Sequence, residues 1–339
     1  MKLLCVVCAA APLVACGKSD DDYKTEVVTA MHASIGSDLA ELAAASRELQ
    51  MLAPAHAWNP TTDASAIAAM RQAWLRARVA YELVEGATAP LFPDIDFAMD
   101  ARYDDYLVEL GGADTDPFDG VGVTGMHGIE RILFAPDIRA EVLAFESTLP
   151  GYVKPAYPTT DAEAMRFKTE LVGQLITDAE DLHAQWQPAA IDIGTAYIGL
   201  VGLMNEQREK VNLAATGEEE SRYANVTLFD LRNNLAGTRK AYELFRAWID
   251  AKNGDATDVA IQAKFDGLVA LYAATPGDAL PPVPETWSSD APSATDLASP
   301  FGRLWQEVHD AVDPTRSDSV VSHMNHIADV LGFPQFAEE

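Results

Sequence analysis

Apolar residues recur along this chain at the i, i+3, i+4 spacing that places them on one face of a helix. Residues 62–86 carry Ile67, Met70, Trp74, Leu75, Val79 and Leu83, and residues 161–186 carry Phe167, Leu171, Leu175, Ile176, Ala179 and Leu182. Segments 192–213, 228–249 and 302–312 show the same pattern. Runs of alternating β-branched residues, which strands need, are nearly absent. The expected fold class is therefore all-α. Prolines punctuate residues 150–158 and 281–300. The second stretch is long for a connection in a compact chain, and loops of that length tend to carry function or mobility.

An internal echo refines the picture. Ala80–Leu83 and Ala241–Leu244 both read AYEL, and at the same offset Arg71 matches Arg232 and Arg78 matches Arg239. A true repeat makes the fold two pseudo-symmetric helical halves, each resembling a four-helix bundle. Residues 24–190 would form the first and 191–339 the second. The copies diverge where chemistry would sit, because Glu85 corresponds to Arg246 and no His-x-x-Glu follows in the second half. An acidic site would belong to the first copy.

The amino terminus has a different character. Met1-Lys2 precedes an apolar run too short to span a bilayer, ending in Leu13-Val14-Ala15-Cys16. This is the pattern of a secretory signal peptide, residues 1–15. Its L-x-A-C ending resembles the bacterial lipobox, in which the cysteine becomes the lipid-bearing first residue. Gly17 stands where a retention aspartate would otherwise lie. Residues 16–23 read as a polar tether. Processing would remove Cys5 and Cys8 and leave Cys16 without a partner, so stability rests on the core rather than on disulfides. The expected location is the periplasmic side of the envelope or the cell surface, lipid-anchored, at the outer membrane.

With 52 Asp+Glu against 24 Lys+Arg, the net charge is −28. Such a surface repels nucleic acid and anionic headgroups and concentrates cations.

Against that background, Gly125-Met126-His127-Gly128-Ile129-Glu130 stands out. His127 and Glu130 are three apart on an expected helix, close enough to reach one ion. Glu82 and Glu85 share that spacing. Pairing the two helices would converge three carboxylates and an imidazole, a donor set suited to iron, manganese or zinc. Between them lie Asp94, Asp96, Asp100, Asp104 and Asp105; Asp96 and Asp100 share a helical face, and Arg102 can pair with one of them. The competing readings are a capping or core histidine and a solvated acidic face. A second, weaker grouping is His309 with His323 and His326. Zinc-protease signatures fail in detail: H-E-x-x-H is absent, and Arg131 stands where H-x-x-E-H requires histidine. The serine elbow G-x-S-x-G and the phosphate loop G-x-x-x-x-G-K are also missing.

These residues resemble a known family. Gly125-x-His127-x-x-Glu130 is similar to the G-x-H-x-x-E motif of the imelysin-like proteins, also classed as metallopeptidases. Tyr81-Glu82-x-x-Glu85, Phe92-x-Asp94-x-Asp96, Asp100-x-Arg102 and Asp105 resemble the stretch before that motif in EfeO- and EfeM-type periplasmic iron-uptake proteins. Ser221-Arg222-Tyr223, Thr227-Leu228, Asp230 and Asn234-Leu235-x-Gly237 resemble a second signature. Departures are Ala224 after Tyr223, Gly86 after Glu85, and an insertion at residues 111–123. The resemblance implies a two-bundle fold with a site near the interface, and iron acquisition more than proteolysis. It points to Glu85, His127 and Glu130 as metal ligands, then Glu82 and Asp96. Arg78, Tyr81, Asp100, Arg102 and Asp105 would hold those ligands in place. Iron or an iron complex would be the cargo, and an uptake permease or receptor the partner. The rival expectation is a secreted metallopeptidase with Glu130 as general base and a zinc-bound water; a third is a purely structural lipoprotein.

Overall fold

A computed structural model describes residues 18–337. The expected signal peptide, residues 1–15, and Cys16 lie outside the described residues. Sixteen α-helices follow one another, with no strand among the described residues. The first half holds α1 (Asp20–Leu52), α2 (Ala64–Glu82), α3 (Glu85–Thr88), α4 (Pro93–Asp100), α5 (Tyr103–Leu110), α6 (Gly125–Leu133), α7 (Ala140–Glu146), α8 (Asp161–Arg166) and α9 (Val172–Trp186). The second holds α10 (Ile193–Leu213), α11 (Thr227–Tyr242), α12 (Arg246–Ala251), α13 (Asp255–Ala274), α14 (Ala294–Leu297), α15 (Pro300–Val312) and α16 (Val320–Leu331).

The caps explain several boundaries. Ser19 accepts from the amide of Asp22 while the Asp22 side chain accepts from the Ser19 amide, a reciprocal cap, and Asp20, Asp21 and Asp22 favour the positive helix start. Residues 20–23, expected to belong to a tether, are for this reason the first turn of α1. The side chains of Asp192, Ser299 and Ser319 accept from first-turn amides of α10, α15 and α16, one-sided caps.

Helix α1 packs along α2 and α9; α10 packs against α11, α15 and α16, and α13 against α16. One apolar core runs through both halves from Val27 to Leu331, and a smaller cluster including Tyr103, Tyr106, Val142 and Tyr223 lies beneath α5 and α7. No helix among the described residues is long and apolar enough to cross a membrane.

Two segments that read as single helices are broken. The stretch 228–249 bends through a tight turn at Glu243–Phe245 before α12. The stretch 62–86 stops at Glu82, because the chain there presses against α11. A Cβ on Gly237 would sit 2.4 Å from the carbonyl oxygen of Leu83, so only glycine permits this approach. By contrast, 161–186 stays nearly continuous, with one wider π-type turn at Phe167–Leu171 joining α8 to α9.

The two segments of the internal echo lie on α2 and α11, which pack against each other. Tyr81 donates to Asp96, and its equivalent Tyr242 donates to Asp258 at 3.1 Å. Arg71 and Arg232 both donate to backbone carbonyls at a helix end, 2.9 Å to Leu133 and 3.0 Å to Thr275. Arg78 and Arg239 differ: Arg78 is wholly buried, whereas Arg239 is part-exposed and pairs with Asp266 at 2.7 Å. Arg246, at the place equivalent to Glu85, is bound to Asp258 at 2.8 Å.

The proline-rich stretch 281–300 is held by Trp287, whose ring meets Phe301 and Trp305 edge-on at centroid distances of 4.8 and 5.4 Å. Trp305 in turn stacks on His309 at 4.0 Å, and His309 Nε2 lies 3.2 Å from Asn212 Oδ1. His309 is thus a packed aromatic, apart from His323 and His326 on α16. Burial, with Arg208 nearby, lowers its pKa to about 4. The unfolded chain binds this proton near the ordinary value of 6.5 and the folded chain does not, so the contribution to stability is intact above that value and declines as pH falls toward about 4. The melting temperature of the wild type is expected to fall more steeply across this window than that of His309→Gln. Parallel curves would contradict the assignment.

Candidate metal centre

The G-x-H-x-x-E helix, α6, is buried along its whole length. Its start is set by Gly125, whose φ of +71° is open to glycine and which lies so close to α4 that a Cβ would come within 2.5 Å of the Met99 carbonyl oxygen. Trp74 on α2 fixes the same turn by donating to the Met126 carbonyl at 3.0 Å. The beginning of α6 thereby lies against the end of α4, and His127 meets Asp100.

The two sides of the His127 ring are unlike. Nδ1 lies 2.8 Å from Glu130 Oε2. The other oxygen of Glu130 accepts from the backbone amides of Tyr223 at 3.0 Å and Ala224 at 2.7 Å. Nε2 is buried, makes no hydrogen bond, and faces Asp100 Oδ1 at 3.4 Å and Glu220 Oε1 at 3.5 Å. Ligand atoms of Asp100, His127 and Glu220 all lie within 4.8 Å of one another, the grouping of this kind found among the described residues. An imidazole fixed at one nitrogen by a carboxylate, with the other aimed at two acidic oxygens, is prepared for a cation. Burial opposes a charge on this ring, but the nearby carboxylates of Asp100, Glu130 and Glu220 outweigh it and hold the His127 pKa well above its ordinary value.

Around this triad the charges interlock. Arg78 is fully buried and contacts Glu82 and Asp100 directly; it lies 3.2 Å from Glu220 and 3.7 Å from Asp230. Burial would raise the Glu220 carboxyl, yet Lys210, His127 and Arg78 hold it well below the usual range. Elsewhere burial prevails. It pushes Asp96 up to about 8, helped by Glu85 and Asp100, and Asp230 up to about 7 against the pull of Arg78. Glu82 and Glu85 are raised too, first by burial. A cleft of about 700 Å³ opens onto the site, lined by Glu85, Asp96, Asp100, Asp105, Glu206 and Glu220 with Arg102 and Lys210.

The sequence-derived candidates fall into separate places. His127 and Glu130 touch, but Glu130 is behind the ring with both oxygens engaged. Glu82 and Glu85 both accept from Asn234, and Lys210 lies 3.4 Å from Glu85. Asp96 accepts from Tyr81. Asp100, expected to support the ligands, instead faces the free nitrogen of His127. Arg102 lies 3.3 Å from Asp105 and donates to the Glu218 carbonyl at 3.2 Å. Arg131 donates to Glu146 at 3.1 Å and stacks over Tyr103 at 3.9 Å, which makes it part of the wall. Sequence reasoning missed Glu220, Lys210 and Glu206 altogether. The available signal was position, since Glu220 directly precedes the Ser221-Arg222-Tyr223 signature, whose Asp230 and Asn234 also line this centre.

The imelysin (peptidase M75) family model matches residues 28–299. The chain belongs to the imelysin family. Among its relatives, the iron uptake system component EfeO of Escherichia coli O1:K1 is 28% identical over 225 residues, 66% of this chain and 50% of that protein. The proteins of the same name from Escherichia coli strain K12 and Shigella flexneri are each 27% identical over the same length. This imelysin-family chain spans about half the length of the curated relatives it matches. An imelysin-like protein from Psychrobacter arcticum 273-4 superposes with a TM-score of 0.64 over 96% of this chain and 100% of that one, at 15% identity. That likeness is one of fold, and the fold is all-helical.

Proposed function

We propose that this protein binds a transition-metal ion, iron by preference, through Asp100, His127 and Glu220, and carries it within an uptake system of the cell envelope. The observation that supports this most is the buried Nε2 of His127, without a hydrogen bond and opposite two carboxylate oxygens. Removing a polar atom from water without a partner costs roughly 1–3 kcal/mol. A site that concentrates this cost at the bottom of an acidic cleft is best understood as one completed by a cation. One imidazole and two carboxylates suit iron(II), manganese or zinc and offer no thiolate for softer ions. Kinship with EfeO favours iron among these, and it favours the periplasm as the place of work. A lipid on Cys16 would tether the carrier to the membrane, and a permease or receptor would take the cargo.

Each neighbour then has a task. Glu130 fixes the tautomer of His127 and presents Nε2. Arg78 and Lys210 keep Glu220 ionised in a buried place. The carboxylates of the cleft draw cations inward by a field that salt weakens. The metallopeptidase alternative needs a general base beside the ion. Glu130, its candidate from the sequence, spends one oxygen on two backbone amides and the other on His127, which leaves none for a water.

Elemental analysis of the purified mature chain, with calorimetric titration of Fe²⁺, Mn²⁺ and Zn²⁺, tests the reading. One ion per chain is expected for the wild type, with a large loss of affinity in Glu220→Gln. Equal binding by the variant would remove Glu220 from the site. Zinc-dependent cleavage of casein that disappears in Glu130→Gln would replace the carrier with the peptidase.

A further inference from the structure

Lys210 on α10 has an ammonium enclosed by the protein, 3.1 Å from Asn234 Oδ1, 3.4 Å from Glu85 Oε1 and 3.6 Å from Glu220 Oε2. The other oxygen of that same Glu220 carboxylate, Oε1, faces His127 Nε2 at 3.5 Å and Arg78 at 3.2 Å. One carboxylate therefore has the candidate ion position along one edge and a fixed cation along the other. Asn234 is itself fastened, donating to both Glu82 and Glu85, so the ammonium's nearest acceptor is held in place.

Building on the metal-binding reading above, we infer that Lys210 is a built-in countercharge that selects the charge of the ion, favouring divalent over trivalent cations. The repulsion between a fixed positive charge and an ion grows in proportion to the ion's charge. Inside a protein it is many times stronger than in water and poorly screened by salt. A trivalent ion meets half as much repulsion again as a divalent one at the same donors. Glu220 attracts both ions, but its attraction is already shared with Lys210 and Arg78. Size and donor type also separate such ions, but a substitution at Lys210 leaves the donors in place and changes only the charge behind the ligand.

The test is a comparison of Mn²⁺ and Ga³⁺, neither of which changes oxidation state during titration. Each is buffered with nitrilotriacetate and titrated into the full mature chain. Lys210→Met is expected to raise the Ga³⁺-to-Mn²⁺ affinity ratio by about tenfold or more, while Lys210→Arg, which keeps the charge, leaves it within about threefold of wild type. A merely structural lysine would weaken both ions together and leave the ratio alone; that result overturns the inference with metal binding intact. Should Lys210→Met fail to fold, Glu85→Gln reads the same effect in reverse. Removing the carboxylate that offsets the ammonium lowers the ratio by about threefold or more, and an unchanged ratio is again a refutation. Binding of neither ion by the wild type would overturn the metal-binding reading itself.

Discussion

Arg78→Met is expected to lower the free energy of unfolding by about 3–5 kcal/mol, the largest loss from a single substitution at this centre. The guanidinium is wholly buried and is the cation nearest to Glu82, Asp100 and Asp230. A methionine of similar length fills the space but leaves the fully buried Glu82 and Asp230 without their cation. Part of the deficit can be relieved by protons. Glu82 and Asp230 already have raised pKa values through burial, and losing Arg78 raises them further. The folded variant then holds protons that the unfolded chain releases, so its stability improves relative to wild type as pH falls from about 8 to about 5. Urea denaturation at both pH values measures this. Arg239→Met is the control: the equivalent arginine of the other half is part-exposed, and its loss is expected to cost no more than about 1 kcal/mol. Similar values for the two variants would mean that Arg78 is not the electrostatic centre described.

His127→Ala is expected to abolish the metal-induced rise in melting temperature and to weaken binding by more than about a hundredfold, or roughly 2.8 kcal/mol. Glu130→Gln is expected to fall between this variant and wild type, at about ten- to a hundredfold, because it disturbs the orientation of the ring and not a ligand. Glu85→Gln is expected to change overall affinity least of the three. Isothermal titration at constant pH gives the ranking. Loss in Glu130→Gln equal to that in His127→Ala would make Glu130 a ligand after all; equal binding by His127→Ala and wild type would make the histidine structural.

Helical periodicity was enough to locate α2, α9, α10 and α15, because a buried apolar stripe leaves a signal within one segment. It did not show which face of α2 lies deepest. Leu75, Val79 and Leu83 share the apolar positions of that segment with Trp74, yet they are half-buried, whereas Arg78, Tyr81 and Glu82 are enclosed as fully as Trp74. The reason is that a buried charge is stabilised by partners remote in sequence; Glu220 is 142 positions from Arg78. For the site, local spacing found His127 and Glu130, whose mutual contact spans a single helical turn. It could not assign their roles, since the free nitrogen is defined by Asp100 and Glu220. Glu218-Glu219-Glu220 lie on a turn, where there is no helical periodicity to read. Folding buries Glu219 against Arg139 and Glu220 against Lys210, and the one local hint is the Ser221-Arg222-Tyr223 signature that follows directly.

The cysteines of this chain all lie at or before position 16, so no disulfide ties distant parts of the folded region together. The triad supplies the missing connection, because Asp100 belongs to α4 and Glu220 to the turn beyond α10, about 120 residues later. An ion gripping both would act as a removable staple across that loop. By the chain-entropy argument used for disulfides, such a staple is worth up to the order of 4–5 kcal/mol when it closes a loop of this length. Loaded and empty protein would then differ most in lifetime: a chain that has surrendered its ion is the one that opens first to the proteases around it.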